Sequence, residues 1–135
     1  MIEPHIVLNE GQANAAIKFY ERVFHGKVIS VFRLGDMPDN SSQPLPQHMK
    51  QLIGDCEIDI QGTILHVSDL KSEGKTHDGH ISLLIYLDTE SELMRVYEML
   101  KSDGEILNEV SPQPFAKMYA WVKDKFGVSW QILCR

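Results

Sequence analysis

At 135 residues and a formal net charge of -6, the chain has room for one compact domain, or for two small modules sharing a core. With 19 acidic against 13 basic residues and no Lys/Arg cluster, neither a nucleic-acid-binding nor an anionic-membrane-binding surface is expected. No apolar run approaches the roughly 20 residues of a membrane span. The opening MIEPHIVLNEG lacks a basic segment followed by an apolar one, so a cytoplasmic location is expected rather than secretion.

In chain order, Pro4 to Asn9 reads as a short strand. Gln12 to Phe24 reads as a helix, because Ala16, Ile17, Tyr20, Val23 and Phe24 recur at three- and four-residue spacing. Gly26 ends it, and the β-branched Lys27 to Leu34 reads as a strand. Gly35 to His48, rich in Pro, Ser, Asp and Asn, predicts a long loop of the kind that often serves as a lid. Two strands follow, Leu52 to Ile60 and Thr63 to Ser68, joined by a Gln61-Gly62 hairpin turn.

Beyond the polar connector Asp69 to Gly79, His80 to Leu87 reads as a strand. Thr89 with Glu92 makes a capping box, opening a helix with Leu93, Val96, Tyr97 and Leu100 on one face and a stop near Gly104. Glu105 to Val110, Lys117 to Val122 and Val128 to Leu133 complete the set as strands. The two halves repeat one another: His5-Ile6-Val7-Leu8 and His80-Ile81-Ser82-Leu83 open them, and each closes on a Gly followed by a strand (Gly62 to His66; Gly127 to Gln131). An internal duplication is the simplest explanation, with a single ferredoxin-like domain carrying extra strands as the alternative.

Side chains alternate faces along a strand, so parity sorts these residues. Ile81, Leu83, Ile85 and Leu87 form one apolar face, expected to pack on a helix. His5, His66, His80 and Gln131 all fall on the less apolar faces, at matching places in the two halves. Any one histidine taken alone reads rather as a solvent-facing residue on a half-exposed sheet. The four together, three imidazoles and an amide oxygen, suit a divalent ion such as Zn, Ni, Co, Mn or Fe. Tyr86 and Trp121 are candidates to line a ligand cup, and Met37, Met49 and Met118 read as gap-fillers. His25, His48 and His77 are expected to face solvent, and Cys56 and Cys134 to be buried free thiols. No nucleotide-binding glycine motif, serine nucleophile elbow or Cys-His pairing occurs.

Three segments carry a resemblance to a known family. AAIKFYERVFHGKV is similar to its first helix and second strand, with His25 inserted before the Gly; QGTILHVSD is similar to a G-G-T-x-L-M-x-S-D strand. FAKMYAWVKDKFGVSWQI is the most specific, close to a W-A-K…D-x-F-G-V-x-W closing hairpin. Over nearly its whole length the chain resembles the glyoxalase, bleomycin-resistance and extradiol-dioxygenase (vicinal oxygen chelate) superfamily, in its PhnB-like, demethylubiquinone-methyltransferase-like bacterial branch.

That resemblance implies an α+β fold: one domain over 1–135, built of two β-α-β-β-β modules (1–70 and 78–135) whose curved mixed sheet surrounds a cup. It implies His5, His66, His80 and Gln131 as metal ligands. Branch members often carry Met where His66 stands and frequently His where Asp55 stands, and the superfamily's enzymes usually have Glu where Gln131 stands. An amide cannot serve as general base, so the base is unassigned among Glu10, Asp55, Glu57 and Asp69. Three imidazoles and an amide would leave the ion's charge uncompensated, which favours an anionic, oxygen-bearing small-molecule ligand. The expected function is a metal-dependent lyase, isomerase or transferase. The alternative is a non-catalytic, drug-sequestering binding protein. The expected assembly is a homodimer, since such modules commonly pair their sheets.

Overall fold

The computed structural model describes residues 1–36, 44–69 and 81–135. The chain divides into two compact units, Met1–Thr76 and His77–Arg135, and each holds one four-stranded mixed sheet and one long helix.

The first unit runs β1 (His5–Leu8), α1 (Ala13–Phe24), β2 (Lys27–Arg33), β3 (Ile53–Ile60) and β4 (Thr63–Asp69), in the spatial order β1-β4-β3-β2. Only the β1–β4 pairing is parallel. The helix forms where the apolar spacing predicts, and Ala13, Ala16, Tyr20 and Val23 are fully enclosed where it packs on β3 and β4. The sheet meets it with Leu8, Cys56, Ile58, Ile60, Leu65 and Val67, all buried. Each such aliphatic or aromatic side chain contributes about 1.5–3 kcal/mol by leaving water. The helix ends as His25 turns left-handed at φ 53°.

The β3–β4 turn has Gln61 at φ 54° and Gly62 at φ 86°. Two positive φ values in a two-residue loop define a type I′ hairpin, whose twist matches the strands it joins. It fixes the register Ile60↔Thr63, and therefore Glu57↔His66. The buried carboxylate of Asp69 closes the unit from the other end. It accepts the amides of Ala13, at the start of α1 (3.0 Å), and of Ile53, at the start of β3 (2.9 Å).

The second unit repeats the order with β5 (Leu83–Leu87), α2 (Glu90–Lys101), β6 (Glu105–Gln113), β7 (Ala116–Lys123) and β8 (Ser129–Cys134), arranged β5-β8-β7-β6. Thr89 caps α2 by accepting the Glu92 amide at 3.1 Å, and the Glu92 carboxylate accepts from Arg95 at 2.6 Å. Leu93, Val96 and Leu100 are buried against β7 and β8. Asp124, only 3% exposed, accepts the amides of Phe126 and Val128 and the indole N–H of Trp130, holding the β7–β8 connection.

The α+β class and the βαβββ order of each unit are as the sequence predicts. Three boundaries differ. The first strand of the second unit begins at Leu83, and Ile81, placed by parity on the apolar face, is 81% exposed ahead of it. Strand β6 runs through Pro112 to Gln113, because it is an edge strand whose register shifts accommodate a residue without an N–H. The predicted Gly35–His48 loop keeps short 3-10 turns at Leu34–Asp36 and Gln47–Met49; its central residues, Met37 among them, lie outside the described residues. Cys56 and Cys134 are buried free thiols, as expected.

Candidate metal centre

On the face of the first sheet turned away from α1, the parallel register sets His5 directly opposite His66. Their rings lie 5.7 Å apart, tilted by 54°. Strand β3 contributes to the same face, since Asp55 and Glu57 alternate with the buried Cys56 and Ile58. Glu57 is the cross-strand partner of His66, and Asp55 is its diagonal neighbour. His66 Nδ1 donates to the Asp55 carboxylate at 3.0 Å, while its Nε2 lies 3.4 Å from Glu3 Oε1. The hydrogen bond to Asp55, ahead of the smaller contribution of Glu3, holds the imidazole pKa above its ordinary value. His5 is tied down separately, its Nε2 hydrogen-bonded to Ser68 Oγ at 2.8 Å.

One donor atom from each of Asp55, Glu57 and His66 can be chosen so that all three lie within 4.8 Å of one another. A borderline nitrogen donor beside two hard oxygen donors is chemically suited to a divalent ion, so the residues present fit the cofactor that the sequence suggests. The same carboxylates supply what Gln131 cannot, an acceptor for a proton.

Of the four ligands expected from sequence, His5 and His66 are therefore brought together. His80, like His77, lies outside the described residues. Gln131 sits on β8, on the face turned away from α2, with both ends of its amide engaged. Tyr119 donates its hydroxyl to Oε1 at 2.7 Å, and Nε2 donates to Ser82 Oγ at 2.6 Å. Burial raises the Tyr119 pKa, which keeps that hydroxyl a donor. The residue opposite Gln131 is Leu84, so Leu84 holds the register place that His5 holds opposite His66.

Trp121 and Tyr86 share that face, 36% and 44% exposed. Trp121 donates to Ser129 Oγ at 2.7 Å, and the Arg135 guanidinium lies 4.2 Å from the Tyr86 ring centre. Asp69 is occupied with backbone amides and is not a base. The place of Asp55 and Glu57 was legible in principle: a two-residue turn closing Ile60 on Thr63 makes Glu57 face His66 by counting alone.

The family model described as 3-demethylubiquinone-9 3-methyltransferase matches residues 1–133. The chain belongs to that family. It is PhnB-like, within the glyoxalase-like vicinal-oxygen-chelate superfamily. Among curated proteins it is similar to protein YjdN of Escherichia coli K12, 26% identical over 128 residues, covering 90% of this chain and 87% of that protein. Among solved structures, a putative 3-demethylubiquinone-9 3-methyltransferase, the PhnB protein of Bacillus cereus, superposes with a TM-score of 0.78 at 25% identity, covering 99% of this chain and 98% of that one. The fold is shared more distantly with the fosfomycin resistance protein FosX of Listeria monocytogenes (TM-score 0.64, 10% identity, 98% of this chain and 90% of that one). The FosX structure is that of a Glu-to-Gln mutant complexed with Mn(II) and 1S,2S-dihydroxypropylphosphonic acid.

Proposed function

We propose that this PhnB-like protein is a metal-dependent enzyme, a lyase, isomerase or transferase that acts on a small oxygen-bearing molecule. The observation that carries the reading is the pairing of His5 with His66 on adjacent strands, two imidazoles on one sheet face with carboxylates beside them. The Mn(II) and small phosphonate held by FosX on a related fold support the class of cofactor and ligand. A bound divalent ion supplies Lewis acidity toward a ligand oxygen. The chain's part is to orient His66 through Asp55 and to offer a carboxylate, Asp55 or Glu57, as proton acceptor. Two carboxylates beside His66 offset the charge that an all-neutral donor set would leave on the ion, so the small-molecule ligand need not be anionic.

Transfer of a methyl group, named in the family description, is not adopted, because the sequence has no glycine-rich loop of the kind that holds a methyl donor. The proposed setting is a cytoplasmic homodimer of one-domain chains. No helix among the described residues is long and apolar enough to cross a membrane.

A second reading has an observation of its own. With the Gln131 amide held by Tyr119 and Ser82, and Leu84, Tyr86 and Trp121 exposed around it, the second sheet offers an apolar, aromatic surface of the kind that suits stoichiometric binding of a small molecule. Elemental analysis of the tag-free protein beside a His5→Ala, His66→Ala double variant separates the two. About one transition-metal ion per chain, lost in the variant, is the expected result. Absence of metal after incubation with Zn, Ni, Co, Fe and Mn would leave the binding protein as the better account.

A further inference from the structure

Glu57 and Asp55 stand on the third strand of the first unit, whereas the sequence leads one to expect ligands only from the first and last strands of each module. Three observations bear on what these carboxylates do. First, Glu57 is the direct cross-strand partner of His66 and Asp55 its diagonal neighbour, on strands whose register a type I′ turn fixes. Second, one donor atom from each of His66, Glu57 and Asp55 can be chosen so that all three lie within 4.8 Å of one another, close enough to share one ion. Third, the second unit keeps the topology but not the donors. Trp121 is the cross-strand partner of Gln131 as Glu57 is of His66, and Tyr119 bonds to Gln131 as Asp55 bonds to His66. Where the first sheet has two carboxylates and an imidazole, the second has a phenol, an indole and an amide already engaged at both ends.

We propose that the first unit binds one divalent ion by itself, through His66, Glu57 and Asp55, and that Gln131 is not a ligand. The proposal deepens the metal-dependent reading above and rests on it. Two hard carboxylate oxygens with one imidazole favour Mn(II) or Fe(II) over an ion that prefers nitrogen and sulfur. Their charges also neutralise the ion within the protein. His5, held by Ser68, packs its ring beside His66 and limits where that ring can turn.

The test uses the full chain, stripped with chelator and titrated with Mn(II), with bound metal read by elemental analysis and by the Mn(II) paramagnetic resonance signal. Wild type is expected to take up one ion per chain. Glu57→Gln and Asp55→Asn, near-isosteric changes on the half-exposed face, should each weaken uptake by about 100-fold, while Gln131→Ala leaves it within about threefold of wild type. Far-UV circular dichroism checks that β3 still pairs, and His66→Gln serves as a further loss variant if either carboxylate change unfolds the chain. Unchanged uptake in Glu57→Gln and Asp55→Asn overturns the proposal. So does loss of uptake in Gln131→Ala with metal still bound by wild type, which leaves the metal-dependent reading standing. No uptake by wild type of Mn(II), or of Zn, Ni, Co or Fe offered in its place, overturns both.

Discussion

His66 and Asp55 are diagonal neighbours across β4 and β3, and the imidazole Nδ1 lies 3.0 Å from the carboxylate. This hydrogen bond is the leading cause of the raised His66 pKa. A raised folded-state pKa means that the proton is held more tightly in the folded chain than in the unfolded one. The pair therefore contributes stability that is fully present below about pH 6.5 and is lost as pH rises through the raised value. In the metal-free protein, the His66 ring protons followed by NMR should titrate above those of an ordinary histidine. In Asp55→Asn the midpoint should fall back, and the acid-side stability increment should shrink with it. A His66 midpoint indifferent to Asp55→Asn would remove the carboxylate as the cause.

The Asp69 carboxylate joins the start of α1 to the start of β3 through the amides of Ala13 and Ile53. Asp69→Ala strands two buried N–H groups and should cost about 3 kcal/mol. Urea unfolding should show a lower midpoint with an unchanged slope. A midpoint shift worth less than about 1 kcal/mol would mean that water or a neighbouring group replaces the carboxylate.

Cys56 is fully enclosed, and burial followed by the nearby Asp55 charge pushes its thiol up to about 11. At neutral pH it is neither a nucleophile nor a thiolate ligand. Its labelling by a thiol reagent under native conditions should be slow and should rise to the free-thiol rate only in denaturant. Rapid native labelling would show that α1 lifts from the sheet far more often than this packing suggests.

Gly104 follows α2 where the chain turns into β6, and a Cβ there would sit 2.4 Å from the Lys123 carbonyl oxygen and 3.0 Å from that of Leu100. Both neighbours are backbone and neither can swing aside. Gly104→Ala should therefore destabilise the protein by about 2–3 kcal/mol. A drop in melting temperature of several degrees is the expected readout, and an unchanged melting temperature would count against this close approach.

Much of the fold could be read from local pattern, because each helix carries its apolar stripe and each strand its alternation. Misplaced boundaries had causes outside any local window. Pro112 looks like a strand breaker until β6 is known to lie at a sheet edge, and Ile81 looks like core until β5 is seen to begin at Leu83. At the site, parity and the family likeness both point to His5 and His66. Asp55 and Glu57 stand out in the sequence only as candidate acids, Asp55 also as a place where the branch frequently has His, although DCEIDI alternates on β3 as clearly as the other strands do. The engagement of Gln131 by Tyr119 and Ser82 could not be read at all, since it depends on side-chain rotamers and on residues 12 and 49 positions away.

The hairpin that carries Asp55, Glu57 and His66 has a consequence for how the protein assembles. Closing a two-residue loop costs little chain entropy, so β3 and β4 are expected to pair early on the folding route. Strand β1 reaches the same sheet only across a long separation, the His5–Ser68 contact spanning 63 residues. The carboxylates and the imidazole thus stand on a hairpin that is local in sequence, while the amino-terminal strand that carries His5 is expected to dock later. An ion captured at that stage would act as a folding template, favouring the nascent hairpin before α1 has covered its other side.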